Sequence, residues 1–310
     1  MHRIPPLISR KVPLPSYRVV RETDHQFNAI ESPAGSKGLW VATLISEKDG
    51  SHHVEVSLSE LEPGGQVGGH LHPFEESVYV LSGSALLSID GRRYALRTDD
   101  FGFVPVSTPH AWSNPHDEPV RWYRIRSPQP RPIGVSHGTF PVPGYEVPTD
   151  GRPVSEEDPT ARFVGHFTDA DLNAPGPLSM PGYHGHNIRD ISVRMMVDDV
   201  LGAIHHTHFM VQFKPREEEG MSGSGHFHAF EEAYFLLHGM GETVLEGEHF
   251  DVAAGDLVWV STGCMHAWVN RGSGPLRFIE LQAPRPPFSN MLFLEGPWGD
   301  LAELTIRGAS

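Results

Sequence analysis

From residues 53 to 61 apolar Val54, Val56 and Leu58 alternate with polar Glu55, Ser57 and Ser59, the period of a strand with one buried face. Residues 39–45, 77–81, 85–89, 101–106 and 120–125 read as further short strands, with Asp90-Gly91 as a turn among them. Pro63-Gly64-Gly65 predicts another turn. The same texture resumes at 193–197, and 206–213 is the strongest strand of the second half. Between Ser127 and Pro181 the periodicity disappears, and prolines from Pro128 to Pro159 punctuate a long connection. It is expected on the surface, with Phe140 and Tyr145 as anchors and a helical turn at Asp169-Ala170-Asp171-Leu172. Short strands separated by glycine turns predict an all-β chain, an antiparallel sandwich or barrel.

One stretch organises the rest. Gly225-His226-Phe227-His228 leads to Glu232, and the segment closes at His266-Ala267-Trp268. His226 and His228 share a strand face because they are two apart. Imidazole nitrogen with carboxylate oxygen suits a divalent transition metal: iron, manganese, nickel or zinc. Gly69-His70-Leu71-His72, Glu76 and His110 repeat the pattern, each 156 positions earlier. Gly83, Gly91, Asp100 and Asn114 find Gly239, Gly247, Asp256 and Asn270 at that same spacing. A period of 156 is domain-sized, so the chain is an internal duplication. The expected layout is a first barrel with its N-terminal arm over 1–145, a connection over 146–190 and a second barrel with its tail over 191–310.

Composition narrows the function. The 310 residues suffice for two cores, and 32 glycines with 28 prolines favour turn-rich β structure over helix. A formal charge of −15 argues against nucleic acid and anionic membrane as partners. Cys264 is the one cysteine, which excludes an intrachain disulfide framework, and its expected role is packing. No stretch could span a bilayer and Met1-His2-Arg3-Ile4-Pro5-Pro6 has no apolar signal core, so a cytoplasmic protein is expected.

These motifs resemble those of the cupin superfamily: a glycine-led His-x-His with a glutamate four residues on, then an Asp-led strand ending at a third histidine with a following asparagine. Asp100, Pro105, His110 and Asn114 carry the second motif in the first copy; Asp256, His266 and Asn270 carry it in the second, without the proline. The resemblance implies two jelly-roll β-barrels in tandem, a bicupin. Each barrel would hold a metal: His70, His72, Glu76 and His110 in the first, His226, His228, Glu232 and His266 in the second. Ureidoglycine aminohydrolases are distantly similar bicupins, but their ligands follow Glu-x-His-x-x-x-His with a later glutamine. The three-His, one-Glu set is shared with dioxygenase-type cupins. Oxalate decarboxylases carry an arginine shortly before His-x-His, which neither Gly68 nor Ser224 has near it.

With Val54 and Val56 taken as facing into the first barrel, the register places Met210 and Gln212 inside the second, with His206 and His208 on the same face. Tyr234 replaces Val78 beside the ligands. The second barrel is then the polar, working one, with Tyr234, Gln212 and His208 orienting substrate or moving a proton. Thr207, Phe209, Val211 and Phe213 would pack on another sheet or in a homodimer. Glu75 and Glu231 would point away from the ligands, solvated or salt-bridged. Trp112 and Trp268 share the last ligand's face, as pocket wall or barrel packing. The expected activity is metal-dependent turnover of a small anionic or carbonyl-bearing molecule, dioxygenase-type, with aminohydrolase, isomerase or non-catalytic binding as the alternatives.

Overall fold

Alternating Val, Ile, Phe and Trp draw both halves into antiparallel sheet, and tight turns reverse it. The hairpin turns at Asp90-Gly91 and Glu246-Gly247 need positive φ at both central residues, +49° and +74° in the first and +50° and +86° in the second. Glycine accepts that conformation without a Cβ clash, which fixes the second turn position. The computed structural model describes residues 17–30, 35–130, 138–155, 163–175, 191–215, 223–285 and 294–295.

Strand Glu55–Leu71 is the spine of the first half. It pairs with Lys37–Ile45 and Val120–Ser127 over its first part, then with His110–Ser113 and Phe140–Pro141. Pro63-Gly64-Gly65 is therefore not a turn. The chain bends there while staying in the strand, with Gly64 at φ +68°. Backbone bonds from Gly64 N–H to the Asn114 carbonyl, 2.8 Å, and from Asn114 N–H to the Gly65 carbonyl, 3.0 Å, hold the bend.

The second half closes two sheets on each other. One runs Tyr17–Val20, Leu257–Val260, Glu231–His238, Leu276–Ala283, Thr207–Phe213 and Ile191–Val197; the other contains Glu248–Ala253, Met240–Leu245, His266–Asn270, Gly223–Phe227 and Leu294–Glu295. Phe209, Val211, Tyr234, Leu236, Leu245 and Trp268 fill the space between them. The architecture is all-β, two jelly-roll barrels in tandem.

The barrels exchange strands. Tyr17–Val20, ahead of the first barrel, pairs with Leu257–Val260 of the second, and Val164–His166, ahead of the second, pairs with Asp100–Val104 of the first. The paired aspartates of the duplication fasten these arms. Asp256 accepts from Arg21 Nη1 at 2.8 Å and from Glu22 N–H at 3.0 Å, and Asp100 Oδ1 meets His166 Nδ1 at 2.7 Å. Arg152–Pro153 also joins the first barrel, in parallel with Tyr94-Ala95. Much of the connection thus belongs to the first barrel's sheet. Tyr145 anchors it, its hydroxyl accepting from Ser88 and the Gly91 N–H, whereas the Phe140 side chain is exposed. Asp169–Asp171 forms the expected helical turn as a single 3₁₀ turn. The Pro-rich start and the tail residues Met291, Leu292, Phe293 and Trp298 lie outside the described residues.

A shared core joins the barrels. Val54, Val56, Leu58, Tyr79, Tyr123 and Ile125 of the first pack with Met210, Phe235, Leu257, Trp259, Ile279 and Leu281 of the second. Tyr123 and Phe235 stack at 5.0 Å. Glu75 and Glu231 do point away from their own barrels, but neither is solvated: each is 1% exposed and reaches into the other half. Glu75 accepts from the N–H groups of Ile204 and His205 at 2.8 and 3.0 Å. Glu231 accepts from Ser51 Oγ at 2.6 Å and His52 N–H at 2.7 Å.

Candidate metal centres

Each ligand strand places its second acid inside its own barrel, one residue after the acid that crosses over. In the first barrel, ligand atoms of His72, Glu76 and His110 lie within 4.8 Å of one another, and the His70 ring sits 4.0 Å from that of His110. In the second, His226, His228 and His266 group within 4.8 Å. Glu232 Oε2 lies 2.8 Å from His228 Nε2 and 3.2 Å from His266 Nε2. All eight sequence-derived ligands are thus gathered into two clusters, one per barrel.

The hydrogen bonds behind the rings test whether a cation fits. Nδ1 of His72 meets the Phe74 carbonyl at 2.6 Å, and Nδ1 of His110 meets the Thr108 carbonyl at 3.0 Å. A carbonyl only accepts, so the ring proton sits on Nδ1 and the Nε2 lone pair turns inward. His266 repeats this against the Cys264 carbonyl at 2.9 Å. The Nε2 atoms of His72, His110 and His266 are buried without a hydrogen-bond partner among the described residues. Inward lone pairs beside a carboxylate leave acceptors facing acceptors, an arrangement that a divalent cation resolves.

Electrostatics favours the ligating forms. Burial pulls His70 down to about 3 and His72 and His110 down to about 4, so all three are neutral at ordinary pH. Burial pushes the Glu76 carboxyl up, but the neighbouring guanidinium charges of Arg124 and Arg126 hold it down at about 2.

What surrounds the clusters differs from the expectation. Tyr234 is where it was placed, inside the second barrel, its hydroxyl donating to Glu232 Oε2. His208 and Gln212 are not. The His208 ring lies in the shared core, 6.5 Å from Tyr79 and 6.3 Å from Tyr123. Gln212 Oε1 accepts from Arg277 Nε and Nη2 at 2.9 and 2.6 Å, outside the barrel. The inward face of that strand is Phe209, Val211 and Phe213, which had been assigned to an outer contact. The physical reason is that this strand is covered on both sides, by its own barrel and by the other one. Alternation then has no polar face to mark the outside.

The same inversion applies to the first barrel. Val54 and Val56 face the shared core, and Glu55, Ser57, Arg124 and Arg126 lie on the inner side, with Val78. A cavity of about 600 Å³ runs to His70, His72 and Glu76, lined also by Arg124, Arg126 and Trp112. Trp112 and Trp122 stack at 4.9 Å and 9° to form its aromatic wall. Arg126 meets Glu55 at 3.3 Å and Glu76 at 3.4 Å. The second barrel has Glu280 and Gln282 at the matching positions, and Gln282 Nε2 donates to Glu232 Oε1 at 2.9 Å. Burial and the neighbouring Glu232 raise the Glu280 carboxyl well above the usual carboxylate range. Among the described residues a polar pocket with two arginines thus reaches the ligands of the first barrel, which the valine pattern had made the apolar one. The signal was present in the 156-residue register, which pairs Arg124 with Glu280 and Arg126 with Gln282.

His208 carries a pH prediction. It is fully buried, neither ring nitrogen has a hydrogen-bond partner among the described residues, and burial with His206 nearby lowers it to about 3. As pH falls below about 6.5 the unfolded chain takes up a proton that the folded one refuses, so stability is lost down to the folded pKa. By pH 5 this one group should cost about 2 kcal/mol. Denaturant unfolding of wild type and His208→Leu at pH 7 and pH 5 should show a smaller acid loss in the variant. An equal loss would remove His208 from the explanation.

Comparison with known proteins agrees with the geometry. The Cupin domain family model matches residues 57–126 and 209–281, each spanning the ligands of one barrel. The polyketide synthase protein CurC of Streptomyces cyaneus is 30% identical over 104 residues, 33% of this chain and 68% of that protein. The tetracenomycin polyketide synthase protein TcmJ of Streptomyces glaucescens is 34% identical over 86 residues, 27% of this chain and 58% of that protein. The crystal structure of Lactobacillus farciminis oxalate decarboxylase with formate superposes with a TM-score of 0.60 at 17% identity, covering 92% of both chains. That likeness is one of fold. The protein belongs to the cupin family, and its two barrels make it a bicupin. No helix among the described residues is long and apolar enough to cross a membrane.

Proposed function

We propose that this bicupin is a divalent-metal-dependent enzyme that turns over a small anionic or carbonyl-bearing organic molecule in its first barrel. The observation that carries the reading is the cavity of about 600 Å³ that reaches His70, His72 and Glu76. His70, His72, Glu76 and His110 would hold the ion. A bound ion of this class polarises a carbonyl or carboxylate oxygen and, if redox-active, supports the dioxygenase-type chemistry we favour. The chain's own residues bind and orient. Glu55 and Glu76 fix Arg126 beside the ligands, Trp112 and Trp122 offer a flat apolar wall, and the barrel limits water. In the second barrel Tyr234 and Gln282 both bond Glu232, which suits a supporting metal site.

The polyketide names of CurC and TcmJ favour a second reading of the same site. A polyketide is rich in carbonyls, and an isomerase-type rearrangement of one needs polarisation but no oxidant. Protein purified without added metal should carry bound iron, manganese, nickel or zinc by elemental analysis. Oxygen consumption with a carbonyl-bearing substrate then separates the two readings. A protein that is metal-free and takes up none of these ions on titration would sink both.

A further inference from the structure

We propose that Arg124 is the anion-binding residue of the first barrel, and that the molecule it selects is an organic carboxylate with an apolar body. This deepens the functional reading above and rests on the first barrel being the substrate site. Arg124 is 7% exposed, stands on strand Val120–Ser127 and lines the cavity beside the metal ligands. Its Nε donates to Ser57 Oγ at 3.0 Å. Among the described residues no carboxylate lies in ion-pair contact with it, and none accepts a hydrogen bond from its Nη groups. The other arginines of the strand are served: Arg121 meets Glu60 at 2.6 Å, and Arg126 meets both Glu55 and Glu76.

A buried cation balanced only through space, here by Glu76 and Glu55, keeps its hydrogen-bonding edge for a negative group from outside. Burial lowers the Arg124 guanidinium to about 10, so it stays charged at neutral pH. Nε is held by Ser57, which leaves the two Nη groups to bond the paired oxygens of a carboxylate. Val41, Leu44, Trp112 and Trp122 also line the cavity, and these suit an apolar body. The second barrel cannot copy the site, because Glu280 stands at the register position of Arg124. A carboxyl there offers no cation to an incoming anion.

The test is calorimetric titration of the metal-loaded protein with acetate, hexanoate and benzoate, each against its neutral amide. Wild type should bind at least one carboxylate saturably, and its amide about tenfold or more weakly, the scale of charge-assisted hydrogen bonds. Arg124→Met should lose about 10–100-fold in carboxylate affinity, with metal content unchanged. Arg124→Lys should recover part of it. Equal binding of acid and amide, no saturable carboxylate binding, or wild-type affinity in Arg124→Met would each overturn the proposal. The acid–amide comparison needs no variant, so it decides even if Arg124→Met fails to fold. Metal analysis of the same samples separates the two ideas. Wild type without metal defeats the functional reading, whereas a metal-loaded protein indifferent to carboxylates defeats only the role of Arg124.

Discussion

Alanine at His72 is expected to strip the first barrel of its metal and to lower turnover by about 10³-fold or more, while alanine at His228 leaves most of the activity. The size follows from the several kcal/mol that a metal contributes to charge stabilisation, at about 1.4 kcal/mol per tenfold in rate. The direction follows from access. The cavity touches His70, His72 and Glu76, and Arg124 and Arg126 stand beside them. In the second barrel the corresponding carboxylate is bonded by Tyr234 and Gln282, and the matching strand offers Glu280 in place of Arg124. Tyr234→Phe removes only the hydroxyl that bonds Glu232, so it should follow His228→Ala in sparing turnover. Metal content per chain and turnover of one substrate, measured on all three variants, check the assignment. Equal activity loss in His72→Ala and His228→Ala, with both folded, would show that the barrels share the chemistry.

What the sequence disclosed and what it withheld divide along a physical line. The ligands were legible because metal coordination needs particular atoms at fixed spacing, and a gapless duplication wrote that spacing twice. Strand existence was legible wherever one face meets solvent. Thr207–Phe213 failed because every residue but Gln212 is buried, so its apolar alternation names two interiors and cannot say which is which. Val54 and Val56 misled for the same reason: both are fully buried, and so are Ser57 and Ser59 on the inner face. The strand exchange was invisible because Tyr17–Val20 pairs with a segment some 240 residues away, and nothing local encodes a partner. Arg124 and Arg126 were readable in principle. Comparing 120–127 with 276–283 at the duplication's spacing shows arginines replaced by an acid and an amide, and such charge changes between repeats mark a divergence in what each binds.

Glu231→Ala should destabilise the whole chain by about 3–5 kcal/mol, because it empties a buried acceptor site that joins the barrels. Its carboxyl oxygens accept from Ser51 Oγ at 2.6 Å, from the His52 N–H at 2.7 Å and from Trp259 Nε1 at 3.4 Å. Glu231 itself is 1% exposed, so water replaces the lost acceptor poorly. Removal therefore orphans donors on both halves at once. Glu231→Gln keeps an acceptor oxygen and the side-chain length, so its loss should be smaller. Because Val54, Tyr79 and Tyr123 share one core with Met210, Phe235 and Trp259, neither barrel can open that face alone at low cost. Guanidinium unfolding followed by tryptophan fluorescence and by far-ultraviolet circular dichroism should therefore give coincident transitions in wild type and variant, shifted together to lower denaturant. A loss below about 1 kcal/mol would mean that the crossing carboxylate contributes no more than an exposed ion pair does. Two separated transitions in the wild type would mean that the barrels unfold independently despite their common core.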